Sequence, residues 1–235
     1  MNIVKKSLLK LKFLVWARLK ANLYPSFYHS HSQFGEDMVV RFLTNDIKKG
    51  FYVDIGAHHP VYYSNTNHFY CKGWQGINID GTPGTMDIFN VLRSRDINVE
   101  LLLSPENKEK SVEFYMFDQP ALNTFDKEMV DKALANGTRL IEKKTMKTKT
   151  LVEVLDSYLP KGTNIDLMSI DVEGLDEAIL MSNDWEAYKP KILIFEKHDI
   201  PIGEIENLEI INYLSKRGYQ IVAKCGPSII MKLSN

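Results

Sequence analysis

The 235-residue chain is long enough for one α/β domain with a sizeable buried core and little besides. Its 44% hydrophobic and 25% charged residues are those of an ordinary globular protein, and a formal net charge of -1 provides no field to draw it to nucleic acid. Cys71 and Cys225 are the only cysteines, which excludes a disulfide framework and suits a reducing cytoplasm.

From Met1 to Gln33 there is no acidic residue, while Lys5, Lys6, Lys10, Lys12, Arg18 and Lys20 are basic. Leu8, Leu11, Val15 and Leu19 recur at helical spacing among them, so residues 1–31 read as a basic amphipathic extension. Its apolar run, Phe13 to Ala17, is too short to span a bilayer, and no small-residue cleavage site follows it. Two readings stay open. Residues 1–24 can rest on an anionic inner membrane surface, or the stripe can pack on the domain or on a second subunit of an oligomer.

The domain proper runs from Ser32 to Asn235. Phe51 to Ile55 is a short β-rich run ending at Gly56, followed by a helix over Ser64 to Cys71 and a strand over Gly76 to Asp80. Thr85 to Arg95 reads as a helix with Met86, Phe89, Val91 and Leu92 on its apolar side, and Ile97 to Leu103 as a third strand. Val112 to Phe117 is an extra strand. The polar stretch 118–147 has weak periodicity and is a candidate lid or acceptor-binding insertion. Alternation then resumes, with helices over Leu151 to Tyr158, Leu175 to Met181 and Glu204 to Arg217. Strands fall over Ile165 to Ile170, Lys191 to Phe195 and Tyr219 to Lys224. Gly226-Pro227 turns the chain into Ile229 to Leu233, a terminal antiparallel hairpin. Strand and helix in this order predict a Rossmann-like α/β fold with a doubly wound, mostly parallel sheet.

Ligands of such sheets bind at the carboxyl ends of the strands, near the point where strand order reverses. Val53-Asp54-Ile55-Gly56-Ala57 closes the first strand there: Gly56 lets the backbone approach a ligand, and Asp54 can accept hydrogen bonds from a cofactor ammonium group. Asp80 closes the next strand at the spacing where an acid binds ribose hydroxyls. The run Ala57-His58-His59-Pro60 lacks the further glycines of a pyrophosphate loop, so a nicotinamide dinucleotide is disfavoured and a cationic nucleoside suits the site better. Alternatively, Asp54 is only a turn or cap residue.

Five stretches stand in a familiar order: Ser32-Gln-Phe-Gly-Glu-Asp37, Val53-Asp-Ile-Gly-Ala57, Ser64-Asn-Thr66, Gly73-Trp-Gln-Gly-Ile-Asn-Ile-Asp80 and Ile170-Asp-Val-Glu-Gly174. Over roughly Ser32 to His198 the chain resembles the FkbM family of S-adenosylmethionine-dependent methyltransferases. The resemblance implies a class I methyltransferase fold, with S-adenosyl-L-methionine held around Asp54, Gly56, Ala57 and Asp80. Gln33, Glu36 and Asp37 would pack over the cofactor, and Ser104, at the close of the third strand, joins the cofactor set. Family members commonly end the second strand in Glu, of which Asp80 is a shorter version, and His58-His59-Pro60 replaces a turn that usually contains Asn and Gly. The family acts on hydroxyls of sugars and natural products, so the acceptor class comes from the resemblance.

Methyl transfer to a hydroxyl is an in-line displacement in which the acceptor must be aligned and its proton removed. Asp171 and Glu173 follow one strand; Glu196, Lys197, His198 and Asp199 close the next. In one reading Asp171, Glu196 and His198 hold a divalent metal, Mg or Mn, that lowers the hydroxyl pKa. In another, His198 is the general base itself, with Asp171 beside it. In a third, Asp171 and Glu173 merely cap the helix that begins at Leu175. The sequence thus reads as an O-methyltransferase acting on a sugar hydroxyl of a glycan or nucleotide sugar. The alternatives are a lipid-linked or natural-product hydroxyl, or a cofactor-binding interaction module without catalysis.

Overall fold

The computed structural model describes residues 29–106, 111–172 and 174–234. The chain divides into two units, residues 1–30 and 31–235, and the fold below is that of the second. Residues 1–28 of the expected basic extension lie outside the described residues, as do the membrane or subunit contact expected of residues 1–24 and the capping role expected of Glu173.

Helix α1 (Glu36–Leu43) precedes β1 (Phe51–Ile55), α2 (Asn67–Cys71), β2 (Gln75–Asp80), α3 (Thr85–Leu92) and β3 (Ile97–Glu100). The short β4 (Leu102–Leu103), β5 (Ser111–Phe117), α4 (Lys127–Ala135) and β6 (Leu140–Lys149) follow. The chain then runs through α5 (Leu151–Tyr158), β7 (Leu167–Ile170), α6 (Asp176–Ser182), β8 (Ile192–Glu196), α7 (Glu209–Ser215), β9 (Tyr219–Cys225) and β10 (Ser228–Leu233). Seven strands form one sheet in the order β3-β2-β1-β7-β8-β10-β9. The first five are parallel, and β10 runs antiparallel to both its neighbours, which gives the expected terminal hairpin. From β1 the chain steps outward to β3 and then returns past β1 to β7, so the strand order reverses between β1 and β7.

Alternation along each strand divides the core between the two faces. Val53, Ile55, Ile77, Ile79, Met168 and Ile170 pack with Leu151, Val154, Ile179 and Ile210 of α5, α6 and α7. On the other face Tyr52, Leu167, Ile192 and Ile230 meet Val40 of α1, Phe69 of α2 and Trp74. Asp166 pins the sheet at its amino edge: one carboxylate oxygen accepts from the Phe51 amide at 2.9 Å and the other from Lys191 Nζ at 2.8 Å. Helix α5 starts where it does because Thr150 and Glu153 form a reciprocal capping box.

Three local expectations are corrected. Helix α3 stops at Leu92, and Val91 and Leu92 are exposed (77% and 49%). The inward stripe is Met86, Phe89 and then the side chain of Arg93, which takes the buried position the apolar pair was expected to fill. The third strand breaks at Leu101, whose amide bonds to the Asp80 carbonyl, leaving β4 to join a second sheet of order β4-β6-β5. The helix expected over Glu204 to Arg217 is a 3-10 segment (Ile202–Asn207) and α7, separated by the extended Leu208.

The stretch 118–147 is ordered secondary structure, not an irregular loop. It carries a 3-10 turn (Pro120–Leu122), α4 capped by the Asp126 carboxylate, and most of β6, which pairs antiparallel with β5 from Ser111 to Phe117. This arm has its own small core of Tyr115, Phe117, Val130 and Ala133. Among the described residues no helix is long and apolar enough to cross a membrane.

Candidate active site

At the carboxyl edge of the parallel strands, over the switch point, lies a cavity of about 480 Å³. That volume falls within the range of small-molecule sites. Asp80 and Thr82 follow β2 on one side and Glu196 and His198 follow β8 on the other, with Gly56 and Asp171 meeting between them at the tips of the neighbouring β1 and β7. Gln33 and Phe34 cover it from the segment before α1, and Leu122 to Phe125 close it from the arm.

Gly56 has φ +73, and a Cβ there would lie 1.7 Å from the Asp171 carbonyl oxygen, so the tips of β1 and β7 meet through a position that admits only glycine. The amides of Gly56 and Ala57 both bond to the Ile79 carbonyl, at 2.9 and 3.1 Å, which ties the loop to β2. The Asp80 carboxylate faces the cavity. It accepts from the His58 amide at 2.9 Å and from the Thr82 amide at 2.7 Å, and burial raises its pKa while these amides oppose the rise. Each oxygen keeps a lone pair for a ligand hydroxyl.

Asp54 behaves otherwise. It sits inside the ladder, level with Asn78 and Ser169, and its side chain turns to the sheet face opposite Val53 and Ile55. There Thr66 Oγ1 donates to it at 2.5 Å, and burial pushes its pKa up to about 6. The same buried cluster holds Arg93, which donates through Nη2 to Thr66 Oγ1 (3.0 Å) and the Tyr52 hydroxyl (2.6 Å) and pairs through Nε with Asp96 (2.9 Å). Asp54 therefore shapes the β1 tip from behind and is not among the residues that line the cavity, where it was expected to meet a cofactor directly or through water.

Three more of the expected cofactor residues stand outside the cavity lining. Ala57 is buried against Met86 and Phe89. The Asp37 carboxylate accepts from the His31 amide (2.7 Å) and Ser32 Oγ (2.8 Å), fixing the turn that carries Gln33. Ser104 is buried where its amide bonds to the Lys149 carbonyl, joining β4 to β6. Gln33, Gly56 and Asp80 do line the cavity.

At the end of β8 His198 Nε2 lies 2.9 Å from Glu196 Oε2, and the other oxygen of Glu196 is 3.5 Å from Ser228 Oγ. Burial raises the Glu196 pKa, with His198 opposing it. Asp176, at the start of α6, accepts from the amides of Val172 (3.3 Å) and Glu196 (3.2 Å) and is pushed by burial up to about 7. Among the described residues no group of three or more His, Cys, Asp or Glu side chains is arranged to hold a metal ion. Asp171, Glu196 and His198 all line the cavity, with Glu196 set against His198 through one oxygen and near Ser228 through the other.

The stretch 118–147, a candidate acceptor-binding insertion in the sequence, supplies Pro120 to Phe125 to the cavity wall; the individual residues, and Phe114 of β5, were not singled out. Asn123 donates to Thr82 Oγ1 at 3.2 Å and accepts from the Phe117 amide at 2.8 Å, so it fastens the arm to the loop beside Asp80. Only tertiary pairing brings it there. Phe34 and Tyr63 at the mouth were not singled out either; Tyr63 has φ +54, a conformation rare outside glycine.

These features define a doubly wound α/β protein with a cavity at the carboxyl edge of the sheet, between an acid closing the second strand and titratable side chains that follow β7 and β8. Residues 54–221 match the model of the methyltransferase FkbM domain, and the chain belongs to that methyltransferase family. Among solved structures it is similar to an O-methyltransferase from Bacillus cereus in complex with SAH, with a TM-score of 0.42 and 11% identity; the match covers 96% of this chain and 90% of that one. No curated protein matches it.

Proposed function

We propose that this methyltransferase transfers the methyl group of S-adenosylmethionine to a sugar hydroxyl, of a glycan or a nucleotide sugar, in the cytoplasm. The observation that carries the reading is that one cavity holds both a ribose-type acid, Asp80, and a carboxylate-backed imidazole, His198, on opposite sides. Asp80 accepts the cofactor's ribose hydroxyls, Gly56 lets its backbone come close, and the wall formed by Leu101 to Leu103 and Phe114 offers an apolar face for the base. The sulfonium carbon then points toward the His198 rim, where the acceptor oxygen attacks.

His198 is the general base of this reading. With Nε2–H donating to Glu196, Nδ1 keeps a lone pair for the acceptor proton, and the imidazolium that forms is held by the carboxylate. A sugar acceptor is supported by Phe34 and Tyr63, exposed aromatic surfaces (49% and 66%) on the cavity that can stack on a pyranose face. No step is routed through a metal ion.

The test is methyl transfer from labelled S-adenosylmethionine to a panel of sugars and nucleotide sugars, with products read by mass spectrometry. The expected result is a methyl ether, insensitive to exhaustive chelation, that falls on the order of 10² to 10⁴-fold in His198→Gln. Cofactor binding with no transfer to any sugar, but transfer to a lipid-linked or natural-product hydroxyl, would overturn the acceptor class.

A further inference from the structure

Glu36 opens α1 and Ser228 opens β10, and both are buried. Ser228 Oγ donates to Glu36 Oε1 at 2.8 Å, and the Phe34 amide donates to Glu36 Oε2 at 2.9 Å. One buried carboxylate thus ties the backbone of Phe34 to the start of β10. The Phe34 ring lies on the β9–β10 turn: a Cβ on Gly226 would stand 2.6 to 2.9 Å from its Cγ, Cδ1 and Cδ2. The same segment is fixed at its other end, where Asp37 accepts from the His31 amide and Ser32 Oγ. Phe34, Glu36, Gly226 and Ser228 all fall outside the span 54–221 that matches the family model.

An acid in the first turn of a helix is ordinarily explained by the helix dipole. That accounts for the charge of Glu36 but not for its partners, which come from residue 34 and from the terminal hairpin. Burying a carboxylate is costly, and hydrogen bonds to the charge offset the cost. Here both bonds hold Phe34 against the turn. The turn stands beside His198, since the Pro227 carbonyl accepts from the Lys197 amide at 3.1 Å and Ser228 is in register with Glu196. Asp80 closes β2, four strands from β10 in the sheet, a separation of roughly 19 Å. Phe34 and Pro227 both line the cavity. The segment expected to pack over the cofactor therefore places its ring on the His198 side.

We propose that Phe34 is the platform on which the acceptor's pyranose face stacks, and that Glu36, Ser228 and Gly226 are positioning residues that set its ring beside His198. The inference rests on the proposed function, in which the cofactor takes the Asp80 side and the acceptor meets His198. The ring offers a flat apolar face to the C–H face of a pyranose. Its backbone and one side of the ring are fixed before the acceptor arrives, so little freedom is lost on binding. Phe34 then separates a sugar from a flexible lipid-linked chain. The chain needs only apolar area, which a leucine would also supply, whereas the pyranose needs the flat face.

Steady-state kinetics on the full chain, with the panel's methylated sugar as acceptor, and calorimetry with S-adenosylhomocysteine test this together. Phe34→Leu should raise the acceptor KM roughly 3 to 10-fold, the worth of an aromatic contact beyond its area, and leave S-adenosylhomocysteine affinity unchanged. Phe34→Tyr, which keeps the ring, should restore the wild-type KM. Gly226→Ala, which pushes the ring off its seat, should raise KM alike and add nothing in the Phe34→Leu background. Ser228→Ala, which removes the bridge to Glu36, carries the same cycle should Gly226→Ala fail to fold. A purely structural clasp would give losses that add in the cycle, and that result overturns the proposal. So does weakened S-adenosylhomocysteine binding in Phe34→Leu, which would put the ring over the cofactor. A methylated sugar whose KM is indifferent to Phe34 sinks only the platform, whereas a panel with no methylated sugar sinks the acceptor class and the platform with it.

Discussion

The carbonyl oxygen of Asp171 occupies the space that a Cβ on residue 56 would need, 1.7 Å from its ideal position. The tips of β1 and β7, which flank the switch point, are thereby set against each other, and the backbone of Gly56 forms the floor of the cavity. Gly56→Ala adds both this collision and the penalty of φ +73. It should cost more than about 2 kcal/mol of stability and abolish cofactor binding. Thermal unfolding and calorimetry with S-adenosylhomocysteine check both; retained affinity would mean that the β1 tip is not part of the site.

Asp80 and Asp54 look alike in the sequence and should separate cleanly in solution. Asp80→Asn keeps the shape but removes the charge that the amides of His58 and Thr82 address and that the proposed function offers to the ribose hydroxyls. Its affinity for the cofactor should fall about 10 to 100-fold, the worth of a hydrogen bond to a charged group, beside a smaller loss of stability because the new NH2 faces one of those two amide donors. Asp54→Asn should act mainly on stability, since its partner is Thr66 in the buried cluster. Equal losses of affinity from the two would contradict this division.

Arg93 holds that cluster together. Its guanidinium reaches Asp96, Tyr52, Thr66 and the Pro60 carbonyl while almost fully buried. Arg93→Met leaves Asp96 without its cation, a loss on the order of 3 to 5 kcal/mol. A shift in urea midpoint corresponding to less than about 1 kcal/mol would show that the network is not needed for the fold.

Asp176 gives the fold a pH dependence of definite sign. Burial raises its pKa in the folded state to about 7, above the ordinary value of 3.8, so the native chain holds this proton more tightly than the unfolded chain. Its contribution is fully present below about pH 4 and is lost as pH rises through about 7, amounting to at most about 4 kcal/mol. Urea midpoints of wild type should decline over that window more steeply than those of Asp176→Asn. Parallel profiles would remove Asp176 as the cause.

Most of the parallel sheet was legible because Phe51 to Ile55, Gly76 to Asp80 and Lys191 to Phe195 are apolar β-rich runs closed by glycine, proline or charged residues. Strand β6 was not, because Leu140, Ile141 and Met146 are its only apolar residues among lysines and threonines, and it is held by backbone pairing to β5. For the site, Asp80 was legible because it stands one residue past its ladder with β1, free to turn into the cleft. The buried position of Asp54, behind the cavity lining, has a reason the sequence contains. It lies between two residues that face the larger core, so the two-residue period of a strand turns it to the opposite side. The meeting of Glu36, Ser228 and Glu196 had no local signal, since 192 residues separate the first two.

A crystal structure with S-adenosylhomocysteine tests the central claim most directly, because the product's sulfur marks where the methyl group left. The expected result has the ribose hydroxyls on Asp80 and the sulfur directed across the cavity to the His198 rim. A ligand seated away from Asp80, or one whose sulfur faces away from His198, would contradict it.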